Sequence, residues 1–259
     1  MELQKDYISV QKALQILLAF VPHNKEMGTM EVSELLGLNK STVSRLLNVL
    51  VRYDFLQHDK KTRKFRLGKS AAAIGMAVKQ SLSEQIIGIA QPYIDDLRNK
   101  LDETFALEIW NGDSTIMAYR AEALRLRRVS LLRPGDKVDV HVSAGARVIL
   151  AFSSQHVIEN ILRGMFPKYT EKTITDSDLL KAQLPGIREN GYFIALGERH
   201  LESNIIAVPI FNFEKKPVAA ISLFTITERL QTLIDSEVVS LLKQTASQIS
   251  AKLLYSEED

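Results

Sequence analysis

Between Thr29 and Leu50 the chain repeats apolar residues at helical spacing on both sides of a single glycine, which constrains this stretch to a pair of short helices about a tight turn. Val32, Leu35 and Leu36 mark a short amphipathic helix, Gly37 permits a tight turn, and Val43, Leu46, Leu47 and Leu50 mark a second helix. This is the pattern of a helix-turn-helix. Packing claims the apolar stripe of the second helix, which leaves Lys40, Ser41, Thr42, Ser44, Arg45 and Asn48 on the other side as donors and acceptors suited to a DNA major groove. Downstream, Phe55-Leu-Gln-His58 and Lys64-Phe-Arg-Leu67 read as two short strands around the polar tip Asp59-Lys-Lys-Thr-Arg63. A hairpin there is a wing. Its Lys60, Lys61, Arg63, Lys64 and Arg66 suit phosphates or a minor groove, with Phe55, Leu56, Phe65 and Leu67 as anchors.

Charge supports a basic head on a different kind of body. Residues 1–80 hold thirteen Lys/Arg against seven Asp/Glu, whereas residues 81–259 hold twenty against twenty-four. The length of 259 residues suits two domains. With no cysteine, disulfides, zinc-finger ligands and thiol nucleophiles are excluded together. No apolar run approaches the ~18–20 residues of a membrane span, and the first residues lack the pattern of a signal peptide, so a cytoplasmic protein without a membrane partner is expected.

Ser9 is positioned to cap a first helix carrying Val10, Leu14, Leu17 and Leu18, which would complete a three-helix core. Residues 69–83 read as a stiff linker helix, and Ile86, Ile87, Ile89, Ala90, Tyr93, Ile94 and Leu97 mark a long helix beyond it. Strands follow at residues 104–110 and 115–121 around Asn111-Gly-Asp113, then at 127–132 and near 138–142 around Pro134-Gly-Asp136. Helices are expected at 146–152, 156–163 and 176–190, strands at 192–196, 205–211 and 218–225, and a final helix over 235–254. The fold class is α+β.

These residues resemble one family closely, the isocitrate lyase regulator (IclR) family of bacterial transcription factors, over nearly the whole chain. The head pattern is matched by Glu34-Leu-Leu-Gly-Leu-Asn-Lys-Ser-Thr-Val-Ser-Arg-Leu-Leu47 and Phe65-Arg-Leu-Gly68. The body pattern is matched by His141-Val-Ser-Ala-Gly-Ala-Arg-Val-Ile-Leu-Ala151, Gly191-Tyr192, Ile206-Ala-Val-Pro-Ile-Phe211 and Val218-Ala-Ala-Ile-Ser222. The resemblance implies a winged helix-turn-helix over residues 1–68, a linker helix over 69–83, and a GAF-like effector-binding domain over 84–259. It further implies that Ala144, Gly145, Ala195, Ile205, Ser222 and Phe224 line a pocket for a small carboxylate. A glycine-containing turn at a helix start, capped by Ser143, offers backbone N–H groups to that carboxylate, and Arg147 lies one turn further on. Bulky Ile205 and Phe224 favour an acid with more skeleton than a two- or three-carbon one. In the wing, Arg63 stands where the family often has glycine.

An enzyme is not expected. The five histidines show no metal-ligand spacing, no Walker loop, G-x-S-x-G or G-x-G-x-x-G occurs, and the polar run Glu198-Arg-His200 reads as a solvated loop. No cofactor or metal is implied. A repressor whose DNA affinity a small carboxylate modulates is the reading the residues favour, over a DNA-architectural protein without an effector. One recognition helix reads few base pairs, so a homodimer or homotetramer on a near-palindromic double-stranded operator is expected.

Overall fold

The computed structural model describes residues 8–21, 25–125 and 132–255. The chain divides into two compact units, a head, Met1–Leu82, and a body, Ser83–Asp259.

In the head, α1 (Ile8–Phe20), α2 (Thr29–Leu36) and α3 (Lys40–Arg52) precede a hairpin of β1 (Leu56–His58) and β2 (Phe65–Leu67). The buried stripe Val43, Leu47 and Leu50 of α3 packs in one cluster with Val32 of α2 and with Ile16 and Phe20 of α1. Phe65 also exchanges two backbone hydrogen bonds with Met27, at 2.9 and 3.1 Å, a bridge with no local sign in the sequence. The expected α1 stripe is corrected: Val10, Leu14 and Leu18 are exposed, and Ile16 and Phe20 are buried. In α1, nine of thirteen residues are apolar, so two stripes share the helical period and only the packing partners choose between them. The helix begins at Ile8, which places Ser9 inside it rather than at its cap. Leu35 is exposed as well, leaving Val32 as the buried residue of α2.

Helix α4 runs without interruption over Lys69–Leu101, where a linker helix and a separate second helix were expected. In the body it is followed by β3 (Thr104–Trp110), β4 (Thr115–Ala121), β5 (Lys137–Val138), α5 (Ala144–Ala151), α6 (Gln155–Leu162), α7 (Ser177–Asn190), β6 (Phe193–Leu196), β7 (Ser203–Phe211), β8 (Pro217–Ile226), α8 (Thr227–Asp235) and α9 (Val238–Tyr255). The described strands of the body form one antiparallel sheet in the order β5-β4-β3-β8-β7-β6. Alternation along the strands divides the core in two. Phe105, Leu107, Ile206, Val208, Ile221 and Leu223 face Ile86, Ala90, Ile94 and Leu97 of α4 and Leu242, Ala246 and Ile249 of α9. Ala106, Met117, Ala195, Ile205, Ala207, Ala220 and Phe224 face α5 and α7 on the other side.

Three expectations change. The chain leaves β5 after Val138 and makes a 3-10 turn over Val140–Val142 instead of a longer strand. The strand at 127–132 falls almost entirely outside the described residues. The last helix, α9, is preceded by α8, which was not expected, and Glu237, whose φ is 59°, stops α8 from running into α9.

Candidate nucleic-acid interface and ligand cavity

The head presents a polar surface because its turn is tightly fixed. Gly37 adopts φ 62° at the end of α2, a conformation glycine reaches without steric cost, and the Leu38 N–H closes the turn on Ser33 O at 3.1 Å. α3 then starts with Lys40, Ser41, Arg45 and Asn48 exposed and Thr42 and Ser44 half-buried, opposite its buried stripe. Four of the six candidate groove residues are thus exposed, and Thr42 and Ser44 flank the buried Val43.

In the wing, Asp59 Oδ1 accepts from the Lys61 N–H at 2.7 Å and the Thr62 N–H at 3.4 Å, which folds the tip back. Those bonds, the Lys61 N–H foremost, pull the Asp59 carboxyl below its ordinary range. Arg63 takes φ 57°, the left-handed conformation that a glycine would adopt freely, so the chain keeps the turn and gains a cation. Lys61 and Arg63 are exposed, whereas Lys64 is half-buried and shares Glu31 at 3.6 Å. The glycine after β2 is a packing requirement. A Cβ on Gly68 would meet Asp54 O at 2.2 Å.

The second site lies on the α5 side of the body sheet. A narrow cavity there, with room for about one water molecule, is lined by Glu108, Leu132, Val138, Val142, Ser143, Ala195, Glu198, Arg199, His200, Ser203, Ile205 and Phe224. Of the residues expected in it, Ser143, Ala195, Ile205 and Phe224 line it; Ala144, Gly145, Arg147 and Ser222 do not.

The reason is a carboxylate that belongs to the protein. Glu108, 2% exposed, accepts hydrogen bonds from Ser143 Oγ at 2.5 Å, Ser222 Oγ at 2.6 Å and Thr115 Oγ1 at 2.7 Å. A Cβ on Gly145 would stand 2.5 Å from Glu108 Oε1 and 2.8 Å from Ser222 Oγ. The polar pocket at the start of α5 is thus occupied by a side chain from β3. A register shift between Leu107 and Glu108 in the β3–β4 ladder lies beside this residue.

Arg147 is also committed elsewhere. It is fully buried, donates from Nη2 to Glu198 Oε2 at 2.6 Å and from Nη1 to Gln183 Oε1 at 3.1 Å, bonds the His141 carbonyl, and lies 4.7 Å from the Phe193 ring centre. It is a structural partner of Glu198 rather than a free anion receptor. This corrects the reading of Glu198-Arg199-His200 as a solvated run. Glu198 is buried in the ion pair, the Arg199 guanidinium covers the Tyr169 ring at 4.9 Å with its Nε unpartnered, and only His200 is exposed. Partial loss of hydration, and then the Arg199 charge, hold the His200 imidazole below its ordinary value.

Sequence reasoning missed Glu108, Glu198, Arg199, His200 and Ser203 as lining residues. A glutamate in an otherwise apolar strand, Thr104-Phe-Ala-Leu-Glu-Ile-Trp110, was the available sign.

Comparison with known proteins gives a single answer. The profile of the IclR helix-turn-helix domain matches residues 9–60, and that of the bacterial transcriptional regulator IclR C-terminal domain matches residues 79–251. The Escherichia coli K12 HTH-type transcriptional regulator XynR is 29% identical over 237 residues, spanning 91% of this chain and 92% of XynR. The DNA-binding transcriptional repressor YiaJ of the same organism is 29% identical over 239 residues, 88% of this chain and 81% of YiaJ. Among solved structures, the Thermotoga maritima IclR matches with a TM-score of 0.64 at 26% identity, over 95% of this chain and 99% of that one.

Proposed function

The chain belongs to the IclR family of bacterial transcriptional regulators, and we propose that it is a repressor which reads its operator through α3 and the wing and yields to a small carboxylate bound in the body. It is a DNA-binding transcription regulator rather than an enzyme. The observation that carries the DNA reading is the polar, accessible start of α3 set against the buried Val43, Leu47 and Leu50. In this reading Lys40, Ser41, Thr42, Ser44, Arg45 and Asn48 meet base edges and nearby phosphates, while Lys61, Arg63 and Lys64 meet the backbone or minor groove. Repression is supported by YiaJ, a repressor of similar length and sequence.

Two heads act together in this reading, as a dimer or a dimer of dimers on a near-palindromic site in the cytoplasm. Val10, Leu14 and Leu18, one turn apart on the exposed face of α1, support a second copy there. The effector site is the body cavity with Ser143, Ala195, Ile205 and Phe224 in its wall. Its open core leaves about the room of one water, so a ligand must part these side chains to enter, which gives it leverage over the body's conformation.

Gel-shift titration on an operator selected from random duplexes tests the DNA reading. Arg45→Ala is expected to lose roughly 1–3 kcal/mol of specific binding while its non-specific binding changes little. Parent-like operator affinity in Arg45→Ala would remove that residue from base recognition.

A further inference from the structure

The carboxylate of Glu108 changes what the cavity can recognise, and resting on the reading of this cavity as the effector site, we infer that the effector is a hydroxylated acid bound with its hydroxyl on Glu108 and its carboxylate toward Arg199 and His200. This reverses the orientation that the start of α5 suggests by itself.

Register sets the order of groups along the cavity. Ala195, Ile205 and Phe224 form one row across β6, β7 and β8, and Ala207 with Ser222 forms the next row two residues away. The Glu108 carboxylate touches the Ser222 hydroxyl, on one side of the Phe224 row. Arg199 and His200 belong to the connection after Leu196 and before Ser203, on the other side of it. Two strand residues span about 7 Å, so the Ser222 row stands about that far from the Phe224 row, and the connection carrying Arg199 and His200 begins beyond the latter.

The charges fit only one orientation. Glu108 has drawn Ser143, Ser222 and Thr115 hydroxyls onto its oxygens, the donors that an effector carboxylate would need. A second carboxylate placed against it would be repelled and left without those partners. A ligand hydroxyl, in contrast, can donate to it. At the far end Glu198 is neutralised by Arg147, which leaves Arg199, with its Nε unpartnered, and His200 to meet an anion. Leu132, Val138, Ile205 and Phe224 offer an apolar wall between the two ends. Glu108 is the residue that selects for the hydroxyl, and Arg199 the one that holds the acid.

Matched acids differing by their hydroxyl groups test this by calorimetry on the full chain. The probes are 4-hydroxybenzoate against benzoate, and gluconate against hexanoate. In at least one pair the hydroxylated acid is expected to bind at least about 10-fold tighter, because an analogue lacking the donor leaves Glu108 facing an apolar group. Glu108→Gln should narrow that gap to within about 3-fold, and Arg199→Gln should weaken both members alike while keeping it. The wild-type comparison needs no variant, so it stands even if Glu108→Gln does not fold. Acids that bind with no preference within either pair would overturn the inference and leave the effector site in place. Equal tightening of both members in Glu108→Gln would put the ligand carboxylate at Glu108 and overturn it too. If none of the four acids binds the wild-type chain, the acid-effector reading fails and the inference fails with it.

Discussion

Arg45 and Arg147 each lie within the first two turns of a helix that follows a sharp bend, one in the head and one in the body, and they meet opposite fates. α3 packs along one stripe, so a polar residue off that stripe is left at the surface. α5 is buried on every side from Ala144 to Ala151, so Arg147 has no solvent to reach and is held by Glu198, Gln183 and the His141 carbonyl. Identical side-chain chemistry is a recognition group on a one-sided helix and a structural strut on an enclosed one. What decides is the number of faces the helix buries.

The largest effect expected from this contrast is on stability. Arg147→Ala leaves Glu198 buried without its cation and should cost the body about 3–5 kcal/mol, whereas Arg45→Ala should change stability by no more than about 0.5 kcal/mol. Trp110, the only tryptophan and half-buried beside the α5 core, reports body unfolding in a urea titration. The double change Arg147→Met with Glu198→Leu should recover much of the loss, since apolar groups of similar volume need no counter-charge. A parent-like urea midpoint in Arg147→Ala would break the contrast.

The same difference governs how much the sequence discloses. The head is legible because its information is local: a glycine at φ 62°, an apolar stripe on α3, and a hairpin whose strands are nine residues apart. Even there α1 misleads, because Ile16 and Phe20 rather than Val10, Leu14 and Leu18 are selected by partners from α3 and β2. In the body the strand and helix pattern is readable, but the site is not. Glu108 meets Ser143 35 positions away and Ser222 114 positions away, and Arg147 meets Glu198 51 positions away. No periodicity encodes such meetings. Resemblance supplied Ala195, Ile205 and Phe224 as lining residues, and it also supplied Gly145 and Ser222, which in this chain contact Glu108 instead of facing the cavity.

Two glycines sharpen the comparison at an intermediate scale. A methyl group on Gly68 runs into Asp54 O at 2.2 Å, and that oxygen belongs to backbone that also accepts from the Ser70 N–H at 3.0 Å. Nothing there can swing aside, so Gly68→Ala should cost the head about 1–3 kcal/mol. At Gly145 the obstacles are the ends of two side chains, Glu108 and Ser222, which can turn. Gly145→Ala should therefore cost less stability than Gly68→Ala and act mainly by displacing the Glu108 carboxylate, seen as altered acid binding in calorimetry. A larger loss of stability at Gly145 than at Gly68 would mean that the Glu108 cluster is as rigid as a backbone turn.

The smallest effect expected is a pH dependence confined to the head. Glu31 accepts from the Gly28 N–H at 2.6 Å at the start of α2 and lies 3.6 Å from Lys64. The Gly28 bond foremost, opposed by slight desolvation, and then the Lys64 and Lys25 charges hold its carboxyl below the ordinary range. A carboxyl lowered in the folded state contributes stability that is complete above the unfolded value of about 4.3 and is lost as the pH falls through the folded value. Hydrogen exchange at the α2 amides of the full chain should therefore quicken on acidification through that window, on top of its intrinsic pH dependence. Glu31→Gln keeps an acceptor for Gly28 but removes the titrating charge, so its α2 protection should be weaker at neutral pH and flatter below it. Asp59 is likewise held below its ordinary value, chiefly by the Lys61 N–H, and Asp59→Asn removes its share at the wing. Acid-dependent protection of α2 that persists unchanged in Glu31→Gln would assign the effect to another group, and the head's exposed carboxylates would then be as silent in the stability of α2 as its exposed arginine.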